Sequence, residues 1–217
     1  MLAPFKINTL ELANRMVFGP MAVTAPDAEG RLTDQTVAFF EERARGGVGL
    51  VIVGGSVATA RGWDESPFRP VLRMDNEEAL PGLRRLGEAV HACGVPIIAE
   101  LTLGFGRMAT AIWERPNISA SPLEVFIAKD RFPRGIYVPG GKRTPVPDAA
   151  TAAQIAELSA KTIEAALRMQ RAGWDGIELA AHMSYFAASF LSPRTNWRTD
   201  MYGGNVANRA RLLYEIV

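Results

Sequence analysis

Residues 174–193 read WDGIELAAHMSYFAASFLSP, an apolar run that opens into a polar stretch carrying His182 and Tyr185. A histidine and a tyrosine at such an exit could move protons. An imidazole titrates near neutrality, and a phenol with its ordinary pKa of about 10 stays protonated at pH 7 and can donate. Each also has a plainer reading. A lone histidine is more often a hydrogen-bonded structural residue, and Tyr185 could simply pack its ring. Glu100 lies in a second apolar run, VPIIAELTL (95–103), with Gly104 and Arg107 after it. A glutamate there needs a cationic partner such as Arg107, a ligand, or a proton. Two further run ends are small and apolar: Pro20, Met21 and Ala22 after RMVFG, and Gly54-Gly55-Ser56 within VGLVIVGGSV (48–57). Such ends let a flat ligand reach main-chain N–H and C=O groups; alternatively, Gly54-Gly55 only terminates a strand.

Other chemistries find no support. The two histidines, His91 and His182, are far apart and no carboxylate cluster joins them, so no metal site is expected. Cys93 is the single cysteine, which excludes an intrachain disulfide and a cysteine-based zinc site within the chain. In AVHACGVP it reads as a small buried hydrophobe rather than a nucleophile. Neither G-x-S-x-G nor a P-loop is present.

The elements that must position these residues alternate in type. RMVFGPM (15–21), VGLVIVGGSV (48–57), VPIIAELTL (95–103) and WDGIELAA (174–181) read as strands, the middle two buried on both faces. Helices are expected over 33–47, capped by Thr33 or Asp34, over 76–94 with Pro81 at its start, over 148–173, and from about Asn205 to Val217. Residues 104–147 form too long a connection to be passive and are read as a functional loop with some structure of its own.

Four β-α units specify an α/β fold with a parallel sheet, either doubly wound or a (β/α)8 TIM barrel. The glycine-rich loop of the doubly wound fold is missing: GPMAVTAP is not G-x-G-x-x-G, and GFGRMATA lacks the spacing. The expectation is therefore half a TIM barrel over 1–217, cut within a helix at Val217, with a loop insertion at about 104–147. Its two open sheet edges would need covering, for which self-association into a homo-oligomer is one route.

The 217 residues carry a net charge of +1, which argues against a dedicated nucleic-acid surface. The N-terminus lacks the pattern of a signal peptide, and no apolar stretch reaches the roughly 18 residues of a membrane span. A cytoplasmic setting without membrane contact is expected.

FLSPRTNWRTDMYGGNVANRARLLYEIV (190–217) resembles the old yellow enzyme (NADH:flavin oxidoreductase) family, in which F-L-S-P, R-T-D-x-Y-G-G and N-R-x-R recur in this order. APFKINTLELANRMVFGPM (3–21), FFEERARGGVGLVIVGG (39–55) and AGWDGIEL (172–179) are similar to the same family. ELTLGFGR (100–107) resembles its dienoyl-CoA and enoate reductase branch. The resemblance implies a barrel that binds FMN, takes electrons from NAD(P)H and reduces activated C=C bonds of small unsaturated molecules. An iron-sulfur cluster and FAD would belong only to a longer parent.

By position, the resemblance implies that Pro20, Met21 and Ala22 lie along the flavin and that Gly55 is the small residue beside it. Glu100 stands where the family has glutamine. An amide donates and accepts, whereas an ionised carboxylate only accepts, so a protonated Glu100 or weakened flavin binding is implied. Ala180 and Met183 occupy the positions of the family's carbonyl-clamping pair, and His182 falls on the neighbouring register. Tyr185 matches the family tyrosine, which favours it over His182 as proton donor. Two competing readings remain: a non-catalytic relative with a decayed site, and a bare half-barrel that associates through its edges.

Overall fold

The computed structural model describes residues 1–22, 25–67, 70–109, 115–125 and 144–217. The chain runs β1 (Phe5–Ile7), β2 (Leu10–Leu12), β3 (Val17–Phe18), α1 (Asp34–Arg45), β4 (Leu50–Val57), α2 (Ala60–Glu65), β5 (Leu72–Arg73) and α3 (Leu80–His91). It continues through β6 (Ile97–Thr102), β7 (Ile118–Ser119), β8 (Asp148–Ala149), α4 (Ala152–Arg171), β9 (Gly176–Leu179), α5 (Phe186–Leu191) and α6 (Val206–Tyr214). Two compact units share this chain.

The first unit comprises Met1–Ala58, Pro70–Leu101 and Glu164–Glu178 and holds the main sheet. Its strands stand in the order β3-β4-β6-β9, with β5 also paired to β4. That order follows the sequence, as in a singly wound sheet, rather than reversing as a doubly wound sheet does. β3 runs parallel to β4, Val17 opposite Leu50. The β-branched run of β4 is legible as a buried strand, and Val51, Val53 and Val57 are fully buried together with Ile97 and Ala99 of β6. Helix α1 starts at Thr33, whose Oγ1 accepts from the Thr36 amide at 3.2 Å. Its Phe39 and Phe40 rings meet Phe18 edge to face at 6.0 and 6.1 Å.

The start of β9 is keyed by two side chains. Trp174 Nε1 donates to the Leu83 carbonyl at 2.8 Å, against the bare Cα of Gly87. Asp175 Oδ2 accepts from the Ile97 amide and from His91 Nε2, both at 2.8 Å. One of the two histidines is thereby structural.

The second unit comprises Thr59–Arg69, Thr102–Ile163 and Leu179–Val217. Its core gathers Leu103, Ile118, Ile155, Leu158, Phe186, Phe190, Tyr202 and Leu212. Helix α4, which contributes residues to both units, opens with a reciprocal cap: Thr151 Oγ1 accepts from the Gln154 amide and Gln154 Oε1 from the Thr151 amide. The stretch RTNWRTDMYGG and the arginines that follow it act as fasteners. Arg198 Nη1 donates to the carbonyls of Ala150 (2.6 Å) and Ala120 (3.2 Å) while its fork grips Asp200. Asn196 Nδ2 bridges the Phe190 and Tyr202 carbonyls, Arg209 Nε reaches the Leu191 carbonyl, and Arg211 Nε that of Met201.

Several expectations change. The strand expected over 15–21 is paired only at Val17–Phe18, and that over 174–181 only at Gly176–Leu179. Gly54-Gly55 does not terminate a strand, since β4 continues through it to Val57. The last helix closes at Tyr214 with Glu215 as its cap instead of running to Val217. Helices α2 and α5 are too short for a periodicity to announce them. Within the expected long loop, a 3-10 turn (Gly106–Met108) and β7 are present; β7 pairs in parallel with β8, which occupies the first two positions expected of the helix over 148–173, so that α4 begins only at Ala152; residues 110–114 and 126–143 lie outside the described residues. Cys93 is half-buried, its thiol directed at the Ala89 carbonyl at 3.6 Å. No helix among the described residues is long and apolar enough to cross a membrane.

Replacing Asp175 with alanine removes two hydrogen bonds and leaves the Ile97 amide without its acceptor. A loss of about 1–3 kcal/mol is expected, read as a lower urea midpoint at unchanged slope.

Candidate functional site

In the first unit, Pro20, Met21 and Ala22 follow β3 as an exposed segment laid over β4. Ala22 makes a parallel bridge to Gly54. A Cβ on Gly54 would fall 2.4 Å from Pro20 Cβ, and one on Gly55, whose φ is +67°, 2.6 Å from Ala22 Cα. The space that the glycines leave is therefore filled by the chain's own Pro20–Ala22 segment, not kept open for a ligand as their type suggested. What they create is an apolar shelf one layer further out: Pro20, Met21 and Ala22 present their side chains to solvent, Met21 at 53 % exposure. Glu100 is only 5 % exposed in β6, and its main-chain carbonyl accepts from the buried Ser56 hydroxyl.

The second unit holds His182 and Tyr185. The chain has left β9 by then, so strand alternation no longer decides where these side chains point. Met183 (φ +50°) and Ser184 (φ +61°) are consecutive residues in the left-handed region, and the Tyr185 amide closes the turn onto the His182 carbonyl at 2.9 Å. Positive φ at both central positions defines a type I′ turn, normally built from Asn and Gly. Met and Ser there carry backbone strain, a feature that clusters at ligand sites. The turn folds His182 back onto Tyr185, with ring centroids 5.1 Å apart. The off-register histidine of the sequence thus meets the tyrosine across a tight turn. His182 is exposed, Tyr185 is 6 % exposed, and Met183 points outward while Ala180 is buried.

The segment after β6 supports this turn. The Gly104 carbonyl accepts from the Phe186 amide at 3.1 Å, and the Phe105 ring meets Tyr185 edge to face at 4.9 Å. Gly106 has φ +55°, and a Cβ there would lie 2.8 Å from the Phe186 nitrogen. Only glycine allows the Tyr185–Phe186 backbone to come so close. Arg107, considered from the sequence as a partner for Glu100, instead donates from Nε to the Leu123 carbonyl at 2.7 Å and from Nη2 to that of Glu124.

Sequence reasoning missed Glu65. It ends α2, is 1 % exposed, and pairs through Oε1 with Arg61 one helical turn earlier, while Oε2 has no hydrogen-bond partner. Burial raises its pKa from 4.5 to about 7; Arg61 and Arg115 oppose the shift and Asp64 adds to it. The only sequence signal was the Arg-x-x-x-Glu spacing, which ordinarily marks a solvated helix face. Among the described residues no cluster of three or more metal-ligating groups occurs.

The unfolded chain releases the Glu65 proton at its ordinary 4.5, whereas the folded chain keeps it to about 7. The native state thus binds more protons over that window, and stability falls as pH rises through it. The shift corresponds to a cost on the order of 3 kcal/mol, fully developed above the folded pKa. Glu65→Gln removes this contribution. Urea unfolding at pH 5 and pH 8 is expected to show a smaller loss of stability for the variant than for the parent chain.

The sequence profile of the NADH:flavin oxidoreductase / NADH oxidase family matches residues 1–217. The chain is 36 % identical over 222 aligned residues to a metal reductase of Desulforamulus reducens, covering 100 % of this chain and 30 % of that protein. It is 31 % identical over 219 residues to a cinnamate reductase of Clostridium sporogenes, covering 99 % of this chain and 31 % of that protein. Among solved structures, a 2-naphthoyl-CoA reductase complex superposes with a TM-score of 0.81 at 29 % identity, over 99 % of this chain and 32 % of that one. The chain thus spans about a third of the length of these relatives. With a profile match from end to end, the chain belongs to the NADH:flavin oxidoreductase / NADH oxidase family.

Proposed function

We propose that this chain supplies part of an FMN-dependent oxidoreductase that reduces activated C=C bonds with electrons from NAD(P)H. In this reading residues 1–217 form the N-terminal half of a (β/α)8 barrel, and the 104–147 excursion is part of its functional surface. The observation that carries it is the strained Met183–Ser184 turn, across which the Tyr185 ring meets the rings of His182 and Phe105. Membership of the family and similarity to a cinnamate reductase support the reaction class.

Pro20, Met21 and Ala22 would lie against the isoalloxazine of FMN, held in place by the close fit over Gly54 and Gly55. Bound FMN would supply the hydride chemistry that reduces an alkene conjugated to a carbonyl, with electrons drawn from NAD(P)H. Tyr185 gives its hydroxyl proton to the α-carbon, completing addition of hydrogen across the double bond. Its ring is buried and packed against two others, which restricts its orientation before transfer. His182 shares the turn and keeps the phenol in place. Glu100 would meet the polar edge of the flavin, where a carboxyl can donate only as the neutral acid.

The alternative, a non-catalytic relative, draws on Ala180 and Met183, which offer no ring nitrogens to clamp a carbonyl. The two readings part in a spectrum. In the full-length protein, bound FMN is expected to bleach with NAD(P)H and recover its colour on adding an enoate; a protein that never takes up flavin supports the alternative. Tyr185→Phe is expected to leave bleaching by NAD(P)H intact and to slow recovery by about 10²–10⁴-fold. Equal recovery rates in stopped-flow traces remove Tyr185 as the acid. Glu100→Gln restores a donor and is expected to tighten FMN binding about tenfold, one conventional hydrogen bond's worth, by fluorescence titration.

A further inference from the structure

Glu65 takes no part in the chemistry above, yet it abuts the segment that supports Tyr185. Helix α2 is pinned at its start: Thr59 Oγ1 caps the Gly62 amide at 2.9 Å and donates to the Leu103 carbonyl at 2.6 Å. Its last residue, Glu65, then reaches Gly104. A methyl group placed on Gly104 would sit 3.9 Å from Glu65 Oε2 and 3.9 Å from Phe186 Cβ. The unpartnered oxygen and the Phe186 side chain therefore flank one bare Cα. Gly104 holds the Phe186 amide, Gly106 admits the Tyr185–Phe186 backbone, and Phe105 packs on the phenol ring. The acid thus abuts the first residue of the three-residue segment that supports the tyrosine.

We propose that Glu65 is a positioning residue for Tyr185, its neutral carboxyl seating the Gly104–Gly106 segment and its ionisation unseating it. This rests on the assignment of Tyr185 as the acid and extends that assignment to how the phenol is held. A neutral Oε2 tolerates an apolar neighbour; an ionised one without a donor does not. Relief comes from water or from movement of the carboxylate, and either acts first at Gly104, its neighbour. Water there competes with the contact between Gly104 and Phe186. The charged groups acting on Glu65 are Arg61 on its own helix, Arg115, and Asp64, which pairs with Arg115 at 2.9 Å. Arg61 is already committed to Oε1, and neither arginine donates to Oε2.

The test uses this chain with carbon-13-labelled tyrosine, the Tyr185 ring resonance being assigned by its loss in Tyr185→Phe. The resonance is expected to shift with pH about a midpoint near 7 in the parent chain and to lose that step in Glu65→Gln. Any response from His182 is common to both proteins and cancels in the difference. Identical pH profiles in the two proteins overturn the proposal. Should the variant not fold, the infrared band of the protonated carboxyl in the parent chain serves instead. Tyr185 must then move in step with that band, and movement at a different midpoint is equally fatal. Alkene turnover enters neither readout, so failure here stands apart from failure of Tyr185 as the acid.

Discussion

The Tyr185–Phe186 backbone lies against a residue that has no side chain, and the candidate chemistry of the second unit depends on that approach. With any Cβ at Gly106 the contact at 2.8 Å would force the two segments apart. The bond from the Phe186 amide to the Gly104 carbonyl, the Phe105 ring on the phenol and the start of α5 all presuppose it. The Met183–Ser184 turn, with positive φ at both residues, runs directly into this seam. Such strain persists only where the surrounding structure over-determines the conformation. A similar economy operates in the first unit, where Gly54 and Gly55 let a loop settle onto a strand and become a shelf.

The most recognisable part of the sequence is not its most reactive part. Residues 190–217 announce the family, yet their side chains are spent on main-chain carbonyls of irregular segments. Such segments leave carbonyls that no helix or sheet satisfies, and buried ones must be met by side chains. A motif of this kind identifies a fold because it solves a folding problem.

Periodic features were legible and junctions were not. The β-branched run of β4 and the Thr33 cap of α1, one of the two residues offered there, obey local rules that a sequence displays directly. The direction of His182 was not legible, because alternation applies only inside a strand and β9 ends three residues earlier. Gly54-Gly55 looked like a terminus or a ligand window because its real neighbour, Pro20–Ala22, is more than thirty residues away in sequence. Glu65 was invisible for a similar reason. The spacing Arg61-x-x-x-Glu65 is the same whether the pair is solvated or buried, and only tertiary packing supplies the burial that withholds water from it.

Arg198 carries a consequence for how this protein tolerates change. One planar guanidinium meets carbonyls 48 and 78 positions away in the chain while its remaining nitrogens hold Asp200. Those partners occupy fixed directions that match a rigid fork of five donors and not the three swivelling protons of an ammonium. Lysine, equal in charge, would reach one carbonyl and abandon the others. Conservation of charge is therefore the wrong measure of likeness at this position; what must be inherited is a shape.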